Sequence, residues 1–147
     1  MSEFKRVVLN HTPPDWVENG SLFFLTVCCK QRGENQLCNY RVAETLFDSA
    51  KFYASSLRWL PRLILLMPDH CHALASFPSD SSMSRVIGDW KRYTAKMADV
   101  SWQRGFFDHR IRNDENWEEK ASYIRLNPVR AGLVAKPEQW PWVLEAI

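Results

Sequence analysis

Two histidines one residue apart, and a tyrosine four residues before an asparagine, are the groups in this 147-residue chain whose types and spacing suit metal-assisted chemistry. His70-Cys71-His72 opens HCHALASF, a segment that reads as a strand. Side chains alternate along a strand, so His70 and His72 point one way and Cys71 the other. Two imidazoles on one sheet face can share a divalent ion, with a carboxylate or amide completing the set. Tyr123 and Asn127 lie at i and i+4 in ASYIRLNPVRAGLV, on one face of a helix. Were that helix to cross the histidine face, Asn127 would offer its amide oxygen as a third ligand, with Tyr123 beside the ion. A phenol, with a pKa of about 10, is a weak nucleophile. An ion on a phosphate oxygen polarises the phosphorus and relieves charge in the transition state. The chemistry would be phosphoryl transfer. On these residues alone, plainer alternatives stand beside it. One histidine packs while the other is exposed, and Tyr123 is a core residue while Asn127 ends a helix before Pro128.

The elements that must position these groups show in the hydrophobic periods. Ser21 to Cys29 is aromatic and β-branched, a first strand. Residues 41–57 place Val42, Leu46, Ala50, Tyr53 and Leu57 at helical spacing. Trp59 to Met67 reads as a second strand, which Pro68-Asp69 turns directly into a third, His70 to Phe77. Ser82 or Ser84 caps a second helix to about Ala98, with Val86, Ile87, Trp90, Tyr93 and Met97 on one side. Phe106 to Ile111 is a fourth strand. Asp114 opens a third helix running through Tyr123 to about Leu126, ended by Pro128 and Gly132. Residues 1–20 form an arm and 127–147 a tail. The order predicts a single α+β domain over 1–147: a ferredoxin-like sandwich, its antiparallel sheet covered by helices on one face, plus an added C-terminal helix carrying Tyr123.

A chain 46% hydrophobic and 24% charged is neither disordered nor collagen-like. The longest aliphatic run, Leu63 to Met67, is far too short for a membrane span, and MSEFKRVVLN has no apolar signal core. The expectation is a cytoplasmic domain with no membrane partner. Cys28, Cys29, Cys38 and Cys71 lack zinc spacing and read as free thiols. The net charge is +2, but residues 85–136 hold eleven Lys and Arg against seven Asp and Glu. Arg85, Lys91, Arg92 and Lys96 fall along one helix, and Lys91-Arg92-Tyr93 suits phosphate contact with base stacking. A solubilising face with Tyr93 in the core explains the same pattern equally well. Arg110, Arg112, Arg125 and Arg130 flank the histidine and tyrosine segments and are assigned to phosphate contact. Tyr40, Tyr53 and Tyr93 lack a metal-ligating partner at helical spacing, and His11 and His109 earn no ligand role. An RNA-binding ferredoxin-like domain would need exposed aromatics on the face where the histidines point. A two-histidine phosphodiesterase would need a second histidine motif.

Four ordered motifs carry a more specific reading. MPDHCHALASF, SRVIGDWKRYTAK, GFFDHRIRN and YIRLNPVRAGLV, followed by PEQWPW, together resemble the single-tyrosine HUH transposases (IS200-like), in particular the REP-associated tyrosine transposase branch. The resemblance is collinear over most of the chain. It implies the ferredoxin-like fold and metal-dependent cleavage of single-stranded DNA at or beside hairpins of palindromic repeats. Residue by residue, it implies Tyr123 as nucleophile, with His70, His72 and Asn127 holding Mg²⁺ or Mn²⁺. Tyr123 would leave a 5′-phosphotyrosine on one fragment and a free 3′-OH on the other, which could rejoin strands without ATP. Asn127 departs from relatives that use Gln, and Cys71 is smaller than the usual aliphatic residue between the histidines. The resemblance is compatible with a monomer or a homodimer, in the cytoplasm at the nucleoid. The alternative is a domesticated module that binds DNA hairpins without cutting them.

Overall fold

The computed structural model describes residues 3–9, 21–78, 82–112 and 116–146. Four strands form the central antiparallel ladder: β2 (Ser21–Cys28), β3 (Leu60–Leu66), β4 (His70–Phe77) and β5 (Phe107–Ile111), in the order β3-β4-β2-β5. α1 (Tyr40–Ser55) and α2 (Ser82–Ala98) make the two crossovers, as the ferredoxin-like reading requires. α1 starts where the Asn39 side chain accepts from the Val42 N–H.

Two further strands lie where only an arm and a tail were expected. β1 (Val7–Leu9) runs parallel to β6 (Val143–Ala146), and β6 pairs antiparallel with β3, extending the sheet to six strands. At three and four residues, neither is long enough to show a period of two, and both exist through distant pairing. Arg6 fastens this edge: its Nε donates to the Trp140 carbonyl at 2.8 Å and its Nη2 to that of Pro137 at 2.6 Å.

The sheet carries a core on each face. Under α1 and α2 lie Phe23, Leu25 and Val27 of β2 with Cys71, Ala73, Ala75 and Phe77 of β4. Trp90 sits at its centre, near Trp59 and Trp102 (ring centroids 6.4 and 5.7 Å), and donates its indole N–H to the Leu46 carbonyl at 3.2 Å. The buried stripe of α2 is Val86, Ile87, Trp90, Thr94 and Ala98; the expected Tyr93 and Met97 are exposed. Thr94 replaces them because its hydroxyl donates to the Trp90 carbonyl at 2.8 Å and accepts the Trp102 indole N–H at 3.0 Å. Leu57, expected on the apolar side of α1, lies beyond its end with a φ of 59° and is exposed.

On the other face Leu63, Leu65, Met67, Leu74 and Val143 meet Ala121, Ile124 and Trp140. A register shift between Pro61 and Leu63 turns Leu63 and Leu65 toward this core. α3 (Trp117–Arg125) lies here, on the side of the sheet away from α1 and α2, and is capped by Asn116 rather than at Asp114, which lies outside the described residues. α4 (Asn127–Arg130) follows after Leu126 alone. Asn127, which the sequence reads as ending a helix before Pro128, instead opens this extra turn, in which Pro128 needs no N–H partner.

Trp90→Ala should lower the unfolding free energy by about 3–5 kcal/mol in urea titration, through lost burial and the cavity left behind. Phe52→Ala, on the exposed side of α1, should change it by less than about 0.5 kcal/mol.

Candidate functional site

His70 and His72 lie on the α3 face of β4, their rings meeting edge to face at 4.9 Å between centroids. The pairing aligns Cys28 with His70, and it aligns Phe107, Thr26, His72 and Leu65 in one row across four strands. Each imidazole is engaged at Nδ1. Thr26 Oγ1 stands 3.0 Å from His72 Nδ1, and Asp69 Oδ1 accepts from His70 Nδ1 at 2.7 Å. In both rings Nε2 is left as the nitrogen able to coordinate.

Asp69 is itself held by the loop after β2. Its other oxygen accepts from Arg32 Nε at 2.9 Å and from the Gly33 N–H at 2.8 Å. Gly33 takes a φ of 87°, where a side chain would strain the backbone. The same loop donates the N–H groups of Gln36 and Leu37 to the Pro68 carbonyl, and Cys29 N–H donates to that of Asp69. The histidine-bearing turn is therefore fixed from several sides. Partial burial alone would raise the Asp69 pKa, but hydrogen bonds from His70, Gly33 and Arg32 outweigh it and hold the carboxyl well below its ordinary range. Burial, the His70 ring and the Arg130 charge push the His72 pKa down to about 4, so that imidazole is neutral at pH 7. Cys71 points into the opposite core, where burial pushes its thiol up and leaves it no part in coordination.

α3 presents Tyr123 on this side. The Asn116 side chain accepts from the Glu118 N–H at 2.9 Å, and Glu118 and Glu119 place negative charge in the first turn, where the helix dipole favours it. Ala121 and Ile124, three residues apart, are fully buried against the sheet, which leaves Tyr123 56% exposed. Arg130 comes back over Tyr123. Its guanidinium lies 4.1 Å from the ring centroid, and its Nη2 donates to the Tyr123 carbonyl at 2.6 Å. Tyr123 helps line a groove of about 450 Å³ with Phe24, His109, Glu119 and Lys120.

The remaining sequence candidates fall into distinct settings. Asn127 opens α4 one residue beyond α3, with its Nδ2 buried and without a partner among the described residues. Arg110 and Arg112 lie at β5 beside a groove of about 460 Å³. Arg125 is held by Glu145 at 2.7 Å, so its charge anchors α3 to β6. Lys91 donates to the carbonyls of Gln103 and Gly105 at 2.7 and 2.6 Å, which closes a loop rather than presenting a free cation. Arg92 is exposed and bonded to Asp89. His109, given no role from sequence, lines the Tyr123 groove; His11 lies outside the described residues. Asp69 and Thr26 were missed as positioning residues. The turn Pro68-Asp69 was visible, but nothing in the sequence places Thr26 beside His72 before the β2–β4 register is known.

Among the described residues no three His, Cys, Asp or Glu side chains are grouped to hold a metal ion. The donor set compatible with one is two imidazoles and an amide. Both rings are oriented through Nδ1, which leaves their Nε2 atoms for a divalent cation, and Asn127 would offer its amide oxygen. The unpartnered atom of Asn127 is its amide nitrogen, a donor that a cation does not satisfy. Among the described residues no helix is long and apolar enough to cross a membrane.

Comparison with known proteins finds relatives that match over most of the chain. The REP-associated tyrosine transposase of Escherichia coli K12 is 29% identical, over 97% of this chain and 81% of its own. A Haemophilus influenzae protein provisionally given the same name is 28% identical, over 84% of this chain and 78% of its own. A solved structure of a REP-associated tyrosine transposase bound to a REP hairpin shares the fold, with a TM-score of 0.73 at 22% identity, covering 97% of this chain and 82% of that one. The family model described as "Transposase IS200 like" matches residues 22–127, well over half the length, and the chain belongs to that family.

Proposed function

We propose that this transposase is a single-strand DNA transesterase that cuts at or beside a hairpin through Tyr123. The observation that carries the reading is the setting of Tyr123, exposed on a helix docked over the histidine face with the Arg130 guanidinium stacked on its ring. A tyrosine left exposed on a helix whose neighbours are buried is placed for a substrate rather than for the core. The hairpin partner is supported by the relative whose solved structure is bound to a REP hairpin.

His70, His72 and Asn127 would hold Mg²⁺ or Mn²⁺, which would supply Lewis-acid polarisation of the scissile phosphate and relief of its developing charge. The chain's own residues do the rest. The Tyr123 hydroxyl gives up its proton to solvent and its oxygen attacks phosphorus. The bond from phosphorus to the 3′ oxygen breaks, and that oxygen leaves as a 3′-OH after taking a proton. The product is a 5′-phosphotyrosine, which a 3′-OH reverses or passes to another strand without ATP because the ester bond is conserved. Arg130 keeps the ring oriented and places positive charge beside the transferring phosphate. Arg110 and Arg112 contact the backbone of the strand approaching along β5. The reaction belongs in the cytoplasm, where single-stranded DNA becomes available at the nucleoid.

Incubation with single-stranded oligonucleotides from the DNA flanking the gene, plus Mg²⁺ or Mn²⁺, should give a protein–DNA adduct on a denaturing gel. Tyr123→Phe should abolish the adduct while leaving hairpin binding, and EDTA should abolish it reversibly. Hairpin binding with no adduct under any of these conditions sinks the cleavage reading and favours a binding module. Asp69→Ala should free the His70 ring and weaken Mn²⁺ binding by roughly 10–100-fold in calorimetry, with the fold retained by circular dichroism. Unchanged Mn²⁺ affinity would remove Asp69 from the site.

A further inference from the structure

Phe107 is 68% exposed, the most exposed of the large apolar side chains among the described residues. It opens β5, the outermost strand on its side of the sheet, and it stands directly opposite Thr26. Thr26 in turn pairs with His72 and stands 3.0 Å from its Nδ1. The phenyl ring therefore lies on the histidine face, two strands out from the histidine. Two residues along the same face comes His109, opposite Phe24. Both His109 and Phe24 line the groove that Tyr123 closes. Residues of one face are about 6.8 Å apart along a strand, so Phe107 and His109 offer two flat rings in succession, leading toward the tyrosine. Arg110, opposite Phe23, alternates to the other face of this edge strand, but it and Arg112 line a groove that His109 and Ile111 share, so positive charge reaches the same edge.

An exposed phenyl ring beside a reactive site gains from a partner that brings a flat apolar surface together with negative charge. Unpaired nucleobases on a phosphate backbone have both, whereas bases in a duplex hide their faces in the stack. We infer that Phe107, continued by His109, is a stacking platform for the bases of the single DNA strand leading to Tyr123. This rests on the reading of the chain as a single-strand DNA transesterase and adds how the strand is steered. Stacking on a ring is tolerant of base identity, so the platform orients the strand without reading its sequence.

The test is fluorescence anisotropy with two labelled DNAs, a hairpin carrying a single-stranded extension and the same hairpin without it. Wild type, Phe107→Ala, Phe107→Trp and Phe52→Ala are compared, each with its melting temperature. Phe107→Ala should lose roughly tenfold in affinity for the extended hairpin, with little change on the blunt one. Phe107→Trp should restore binding, and Phe52→Ala, an exposed phenylalanine on the helical side, should bind as wild type does. Unchanged binding of the extended hairpin by Phe107→Ala, while wild type still forms the adduct, overturns the platform alone. An equal loss on both DNAs also overturns it, because the ring would then touch the duplex. Tighter binding of an RNA version of the extension would overturn DNA as the occupant. A wild type that binds neither DNA would bring down the platform and the transesterase reading together.

Discussion

Ala121 and Ile124 pressed against Leu63, Leu65 and Leu74 form the contact on which the arrangement of the site depends. Tyr123 belongs to a nine-residue helix, too short to persist in water by propensity alone. Its position relative to the histidines is set by where those two side chains dock. Full burial of an isoleucine contributes about 1.5–3 kcal/mol, whereas the half-exposed Arg125–Glu145 pair contributes at most about 1 kcal/mol. Apolar packing holds the helix on the sheet, and the ion pair selects its orientation. Arg62 assists from the register shift in β3, its guanidinium 4.9 Å from the centroid of Trp117 at the start of the helix.

The same strand serves both halves of the molecule. In β4, Cys71, Ala73 and Ala75 fill the core beneath α1 and α2, while Leu74 fills the core beneath α3. At the start of β4 the residues on that face are His70 and His72, with Leu65 of the second core opposite His72. Imidazoles can stand in that position because each has a fixed polar partner at Nδ1, supplied for one by a neighbouring strand and for the other by the preceding turn. A buried ring without such a partner would leave a polar atom uncompensated.

Much of this was readable from residue patterns. The alternation in HCH puts both histidines on one face, because a period of 2 is a local property. The spacing of Tyr123 from Asn127 reads as one helix, whereas α3 ends at Arg125 and Asn127 opens α4. What was not local was not legible. Tyr93 and Met97 look as apolar as the residues that are buried, and only the Trp102 indole, arriving from another segment, selects Thr94 for the core. The edge strands β1 and β6 exist through pairing across most of the chain. Lys91 reads as a basic residue on a helix face, yet its ammonium is used by two carbonyls twelve and fourteen residues away. Phe107 sits in a visible strand, but its side chain is exposed because β5 is an edge, which depends on the strand order.

The placement of β6 bears on the order in which a growing polypeptide can become active. The central strands and both crossover helices are complete once Ile111 has been synthesised, and they can collapse as the ribosome extends the chain. Trp140, whose indole N–H reaches the Leu66 carbonyl at 2.9 Å, and Glu145, which receives Arg125, emerge well after Tyr123 itself. A nascent chain can therefore carry a folded sheet with its histidines in place while the tyrosine helix is still loosely attached. The docking of α3 thus depends on residues that are made last, so the tyrosine helix is the part of the fold that completes after the sheet.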